Sequence, residues 1–205
     1  MKFAQFFLKP KWQHKNPTVR RHAVSNEAST QLIGQLAEIA RSDSDSTVRL
    51  AALQRLNDFE LNRERSTADQ DATIRKFARA RYLEQFATAA EPIDSRVRQL
   101  VALEANEIEQ IAQRATIPKL RLAALERVQR QSVLIDRAVN DPESIVRQAA
   151  LERINDPAAL SRVIEKTRKT DKRLNRIARE RLQSLKLLLA IWRRLPNERV
   201  NYVIG

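Results

Sequence analysis

With 205 residues, of which 42% are hydrophobic, the chain has room for one or two domains and a substantial core. Its only glycines, Gly34 and Gly205, exclude a phosphate-cradling glycine loop and a dinucleotide fingerprint, and the lack of cysteine excludes disulfides and thiolate metal sites. The net charge of +13 is concentrated at the two ends: residues 1–25 carry six Lys/Arg and no acid, residues 161–205 carry thirteen Lys/Arg against four acids, and the middle is close to neutral.

The first fifteen residues, MKFAQFFLKPKWQHK, form an aromatic and basic segment. Their apolar run of six residues is shorter than the roughly 7–15 of a secretory signal. No apolar stretch approaches the roughly 20 residues of a membrane span. A soluble, cytoplasmic protein without a membrane span is expected. Phe3, Phe6, Phe7 and Trp12 are expected to cover the open N-terminal end of the fold, with base stacking or a membrane-surface foot as alternatives.

From residue 16 to 182 one pattern recurs: an aliphatic residue, p, then arginine, then apolar residues at p+3 and p+4. The pairs are Val19-Arg20, Val48-Arg49, Ile74-Arg75, Val97-Arg98, Leu120-Arg121 and Val146-Arg147, and a seventh copy, Leu174-Asn175, lacks the arginine. Copies are 23 to 29 residues apart, room for two short helices and their turns. Positions p, p+3, p+4 and p+8 (Val48, Ala51, Ala52 and Leu56, for example) form the stripe of an α-helix. Asn16, Asp45, Asp71, Asp94 and Asp171 at p−3 are candidate N-caps, and Pro17 and Pro142 suit the first helical turn. The first helix of each pair is less regular. The stretch 59–70, poorest in apolar residues, is expected as a loop or a frayed helix.

The segments DSTVRLAALQRL (45–56), IPKLRLAALERV (117–128) and PESIVRQAALERINDP (142–157) resemble short bacterial HEAT-like repeats. The opening KPKWQHKNPTVRRHAV is loosely similar to the HEAT-repeat N-terminal region of uncharacterised bacterial coiled-coil proteins. The resemblance implies an all-α fold, a right-handed α-solenoid of about seven repeats over residues 16–182, with a capping segment at 1–15 and a capping helix and tail at 183–205. It implies a binding scaffold and no reaction.

Two arginine series accompany the repeats. Those at p+1 (Arg49, Arg75, Arg98, Arg121 and Arg147) are expected to form a structural ladder with cap carboxylates or carbonyls of neighbouring repeats, the alternative being a row that meets phosphates. Those at p+7 (Arg55, Arg81, Arg127, Arg153 and Arg181) sit where a cation suits a helix C-terminus. A third set is less balanced by acids: Lys166, Arg168, Lys169, Lys172, Arg173, Arg176 and Arg179. With Lys9, Lys11, Lys15, Arg20 and Arg21 it makes up the candidate nucleic-acid-binding residues. Leu185, Leu188, Leu189, Trp192 and Leu195 form an apolar stripe expected to cap the far end, or to support self-association.

His14 and His22 fall in no metal-binding or nucleophile spacing, so no metal, cofactor, catalytic residue or small-molecule substrate is expected. The expected function is a non-catalytic protein that contacts a polyanion, RNA before DNA, with little sequence preference. An acidic protein surface is the other expected partner; the alternative functions are a protein–protein scaffold that uses the solenoid's concave face, and a HEAT-like DNA glycosylase. The last needs a central aromatic–carboxylate constellation, whereas Trp12 and Trp192 lie at opposite ends of the chain.

Overall fold

The computed structural model describes residues 9–88 and 92–192. Every regular element among them is helical. The chain divides into two compact units, Met1–Phe86 and Ala87–Gly205.

The first unit holds α1 (Pro17–Asn26), α2 (Thr30–Ser42), α3 (Ser46–Arg55), α4 (Phe59–Ala68) and most of α5 (Ala72–Thr88). Short polar acceptors set the helix starts. Asn16 Oδ1 accepts from the Thr18 amide at 2.8 Å, Asp45 from Thr47 at 2.9 Å and Asp71 from Thr73 at 2.7 Å. Each bond satisfies an amide that a helix N-terminus leaves free. Trp12, in a 3₁₀ turn at Lys11–Gln13, joins the buried cluster of Val24, Leu32, Leu36, Val48 and Leu53. Phe3, Phe6 and Phe7 lie outside the described residues.

The stretch expected as a loop or a frayed helix forms a capped helix, α4, over Phe59–Ala68. Asp58 caps it through the Leu61 amide at 2.9 Å. Leu61 and Asn62 are fully buried, and Phe59 stacks at 5.0 Å on Tyr82 of α5. The helix buries few side chains, but each is large or hydrogen-bonded, as in the 2.9 Å bond from Asn62 Nδ2 to Gln85. Composition alone hid this narrow apolar contact.

The second unit holds α6 (Ile93–Gln99), α7 (Ala105–Arg114), α8 (Pro118–Leu125), α9 (Gln131–Asn140), α10 (Ser144–Glu152), α11 (Pro157–Thr167) and α12 (Lys172–Trp192). Consecutive helices α7/α8, α9/α10 and α11/α12 pack as pairs. The first helices α7, α9 and α11 also pack in succession, as do α6, α8, α10 and α12, giving two layers within this unit. Ala124, Ala150 and Ala178 at p+4 are completely buried between them. A small side chain there lets two backbones approach.

Three details differ from the sequence pattern. The interval from Ile74 to Val97 contains no first helix among its described residues: α5 runs on to Thr88, because nothing between Ala78 and Thr88 caps or breaks it. Among the described residues, five pairs and two single helices, α1 and α6, stand where about seven two-helix repeats were expected. In the fourth copy α6 tightens into a 3₁₀ turn at Leu100–Ala102, which leaves Val101 76% exposed instead of on the core stripe. Pro142 precedes α10, which starts at Ser144, and Asp94 lies inside the first turn of α6 and caps nothing.

No boundary occurs at residue 183. Helix α12 continues unbroken to Trp192, through a sequence without Gly or Pro, so no separate capping helix begins there. Leu187, Leu188, Leu189, Ile191 and Trp192 are all exposed and cover no repeat. Leu195 is outside the described residues. No described helix is long and apolar enough to cross a membrane.

Replacing Leu61 by Ala removes a fully buried side chain. It is expected to lower stability by about 2–5 kcal/mol, measured by urea unfolding; a loop leucine at this position would change it by less than about 0.5 kcal/mol.

Candidate nucleic-acid interface

Whether an arginine is available to a ligand depends on what its guanidinium already holds. The p+1 arginines hold a great deal. Arg49 donates through Nε and an Nη to the two oxygens of Asp69 at 3.0 and 2.8 Å, and through the other Nη to the Asp43 carbonyl at 2.8 Å. Arg121 grips Asp141 at 2.8 Å on both sides and the Ala115 carbonyl at 2.8 Å. Arg147 reaches Asp171 at 3.1 Å and the Asp141 carbonyl at 2.9 Å. Each arginine thus ties the turn before its own helix to the turn opening the next second helix. Planar two-point contact with a carboxylate suits the guanidinium fork.

The carboxylates have a second task. Asp43, Asp69 and Asp141 each accept a 2.9–3.0 Å bond from the backbone amide two residues on, which closes the turn. Burial pushes the Asp69 carboxyl up, but the hydrogen bonds from Arg49 and the Asp71 amide more than reverse this and hold it below the ordinary range. The Leu174 amide, against burial and with help from Arg147, holds Asp171 low as well.

Arg20, by sequence one of the candidate nucleic-acid-binding residues, belongs to this ladder. It donates to both oxygens of Asp43 at 2.8 and 2.7 Å and to the His14 carbonyl at 2.9 Å, so its guanidinium is not offered to solvent. Arg75 makes only the carbonyl half, to Asp69 and Gln70 at 2.8 and 2.9 Å. Arg98 has no hydrogen bond or salt bridge among the described residues and is exposed, so it is no ladder member. The turn positions that would face it are Pro92 and Ala115, neither of which has a carboxylate. The buried arginine of this copy is Arg96, two residues earlier. The pattern missed it because Arg96 sits at p−1, outside the repeated p+1 position.

The p+7 arginines reach in the opposite direction. Arg55 donates to the Val24 and Glu27 carbonyls, Arg127 to Leu100, Arg153 to Val128 at 3.0 Å and Arg181 to Ile154 at 3.0 Å. These carbonyls lie at or just past the end of the preceding second helix, where the regular helical ladder runs out. Arg81 instead lies 3.8 Å from Glu84.

The C-terminal cluster is built differently. Asn175 takes the arginine place and is buried. Its Nδ2 donates to the Ile164 carbonyl at 2.5 Å and to Thr167 Oγ1 at 3.0 Å, and its Oδ1 accepts from Arg179 Nε at 2.9 Å. Arg179 is thereby partly engaged, and Arg176 lies 3.8 Å from Glu180. Lys166, Arg168, Lys169, Lys172 and Arg173 are exposed, and none of their side chains is in a hydrogen bond or salt bridge among the described residues. They sit at the end of α11, in the turn after it and at the start of α12. In the first unit Lys9, Lys11, Lys15 and Arg21 are likewise exposed.

Nothing in the described residues gathers three or more His, Asp or Glu side chains able to hold a metal ion. His14 Nδ1 accepts the Asn16 amide at 3.0 Å, and Trp12 is buried in the core. No known protein family matches the chain, and neither a curated protein nor a solved structure does.

The ladder's contribution to stability can be measured. The Arg121 and Asp141 side chains are 5% and 0% exposed, whereas Lys119 and Asp94 are 65% and 73% exposed. Asp141→Ala strands a buried guanidinium and is expected to cost about 3–5 kcal/mol; Asp94→Ala is expected to leave stability nearly unchanged, both by denaturant unfolding. Asp69 and Asp171 have depressed folded values, so their contribution is complete above the unfolded carboxylate value of about 3.9. It is lost as pH falls through the lower folded values. Stability measured from pH 7 to 5 should show no loss from these groups, and Asp69→Asn should flatten the fall below about pH 4.

Proposed function

We propose that the chain is a non-catalytic binding protein, a HEAT-like solenoid of the cytoplasm whose basic C-terminal surface docks on RNA with little sequence preference. The observation that carries this reading is the contrast between two kinds of cation. Most ladder arginines are held by carboxylates and carbonyls, while Lys166, Arg168, Lys169, Lys172 and Arg173 stand exposed without a salt bridge within one stretch of chain. Unpaired like charges repel one another, and a partner that carries closely spaced negative charge relieves that repulsion. A phosphate backbone also releases counterions on binding. The exposed Lys9, Lys11, Lys15 and Arg21 supply a second basic cluster in the first unit.

Binding of a short RNA by fluorescence anisotropy tests the proposal. About five phosphates met by these five cations correspond to a slope of log affinity against log salt near −3 to −4. The triple variant Lys169→Glu, Lys172→Glu, Arg173→Glu is expected to bind at least about tenfold more weakly and with a shallower slope, with an unchanged helical circular-dichroism spectrum. A parent that binds no RNA at low salt, or a variant that binds as the parent does, refutes the proposal.

A further inference from the structure

A groove of about 370 Å³ runs between α10 and α12, beside the unpaired cations. Its volume lies in the roughly 300–1,000 Å³ range of ligand sites. Ile145, Leu174 and Ile177 supply its apolar wall, Gln148 and the Arg147–Asp171 pair its polar part, and Arg173 its basic edge.

Ile145 is the unusual residue. It occupies p−1, where the other copies carry Thr18, Thr47, Thr73, Arg96, Lys119 and Arg173, all polar. It is 61% exposed, in the first turn of α10, and supports no core contact that would account for an isoleucine. Opposite it, Arg173 is exposed and unpaired, with Lys172 next to it in the chain. The one acid in the groove is neutralised. Asp171 accepts the Leu174 amide through one oxygen at 2.9 Å and Arg147 through the other at 3.1 Å. Gln148, which lines the groove, donates its amide to Glu152 at 2.9 Å and keeps its side-chain oxygen as an acceptor.

We infer that this groove seats one unstacked base of a single-stranded RNA whose neighbouring phosphates lie on Arg173 and Lys172. The inference rests on the polyanion reading and narrows it to single strands. A base offers a flat apolar face for Ile145 and Ile177, and an amino-bearing base offers a donor for Gln148. A phosphate one bond series away offers the negative charge that Arg173 lacks. In a duplex the same base is stacked and paired and its faces are closed to an aliphatic wall. Charge complementarity speaks against a second copy of this chain, since two basic edges would meet.

The test compares three probes with the full chain: a short single-stranded RNA, the same strand made abasic, and a duplex with an equal number of phosphates. The intact strand is expected to bind at least about fivefold more tightly than the abasic one. Ile145→Ala should bring that ratio toward one while leaving the salt slope unchanged, and Ile145→Trp should widen it. Because Ile145 is exposed, neither change threatens the fold. Equal binding of intact and abasic strands, or an unchanged ratio in Ile145→Ala, overturns the groove assignment. If all three probes bind alike with steep salt dependence, the groove falls and the polyanion reading stands; if none binds, both fall.

Discussion

A guanidinium buried between two short helices is costly unless every donor finds an acceptor. Three repeats meet that condition through one arrangement: an arginine that joins its own entry turn to an aspartate in the next one. Arg20–Asp43, Arg49–Asp69 and Arg121–Asp141 all share it. The aspartate also closes its turn by accepting a backbone amide, so the same side chain that receives the arginine sets where the next helix starts. Helices α3, α8 and α10 are short and bury mostly Ala, Val and Leu, so hydrophobic contact alone leaves their relative position loosely specified. The charged contact supplies a directional constraint, and the p+7 arginines add one that points back to the preceding helix end.

The fourth copy shows the same dependence from the other side. Pro92 and Ala115 stand at the turn positions that carry aspartate at Asp43, Asp69 and Asp141. There Arg98 is exposed, Val101 is turned outward and α6 lasts only seven residues before it tightens. The last copy offers another solution. Asn175 turns inward to the carbonyl end of α11, and the cations around it are left on the surface.

This distribution changes what the net charge means. A total of +13 suggests a uniformly basic protein, yet many of the arginines are internal fittings. Exposed cations crowd most closely in the turn after α11 and at the start of α12, with others ahead of α1 and single ones such as Lys76, Arg98, Arg114 and Arg162 elsewhere. The exposed apolar run from Leu187 to Trp192 belongs to the same helix as the basic turn.

Much of this architecture was legible in the sequence because it depends on residues close together in the chain. The p, p+4, p+8 stripe, the caps at Asn16, Asp45 and Asp71, and the all-helical class come from helix geometry and local hydrogen bonding. Asp94 and Pro142 misled because a cap-like residue does not by itself say where a helix begins. The stretch 59–68 was opaque because its burial comes from Tyr82, Phe86 and Gln85, residues of another helix. That Arg49 answers to Asp69 and Arg121 to Asp141, each twenty residues on, and that Arg96 rather than Arg98 is the buried arginine, was decided only by packing. A short-range pattern names the arginine; the partner is set by which turn the folded neighbour brings within 3 Å of it.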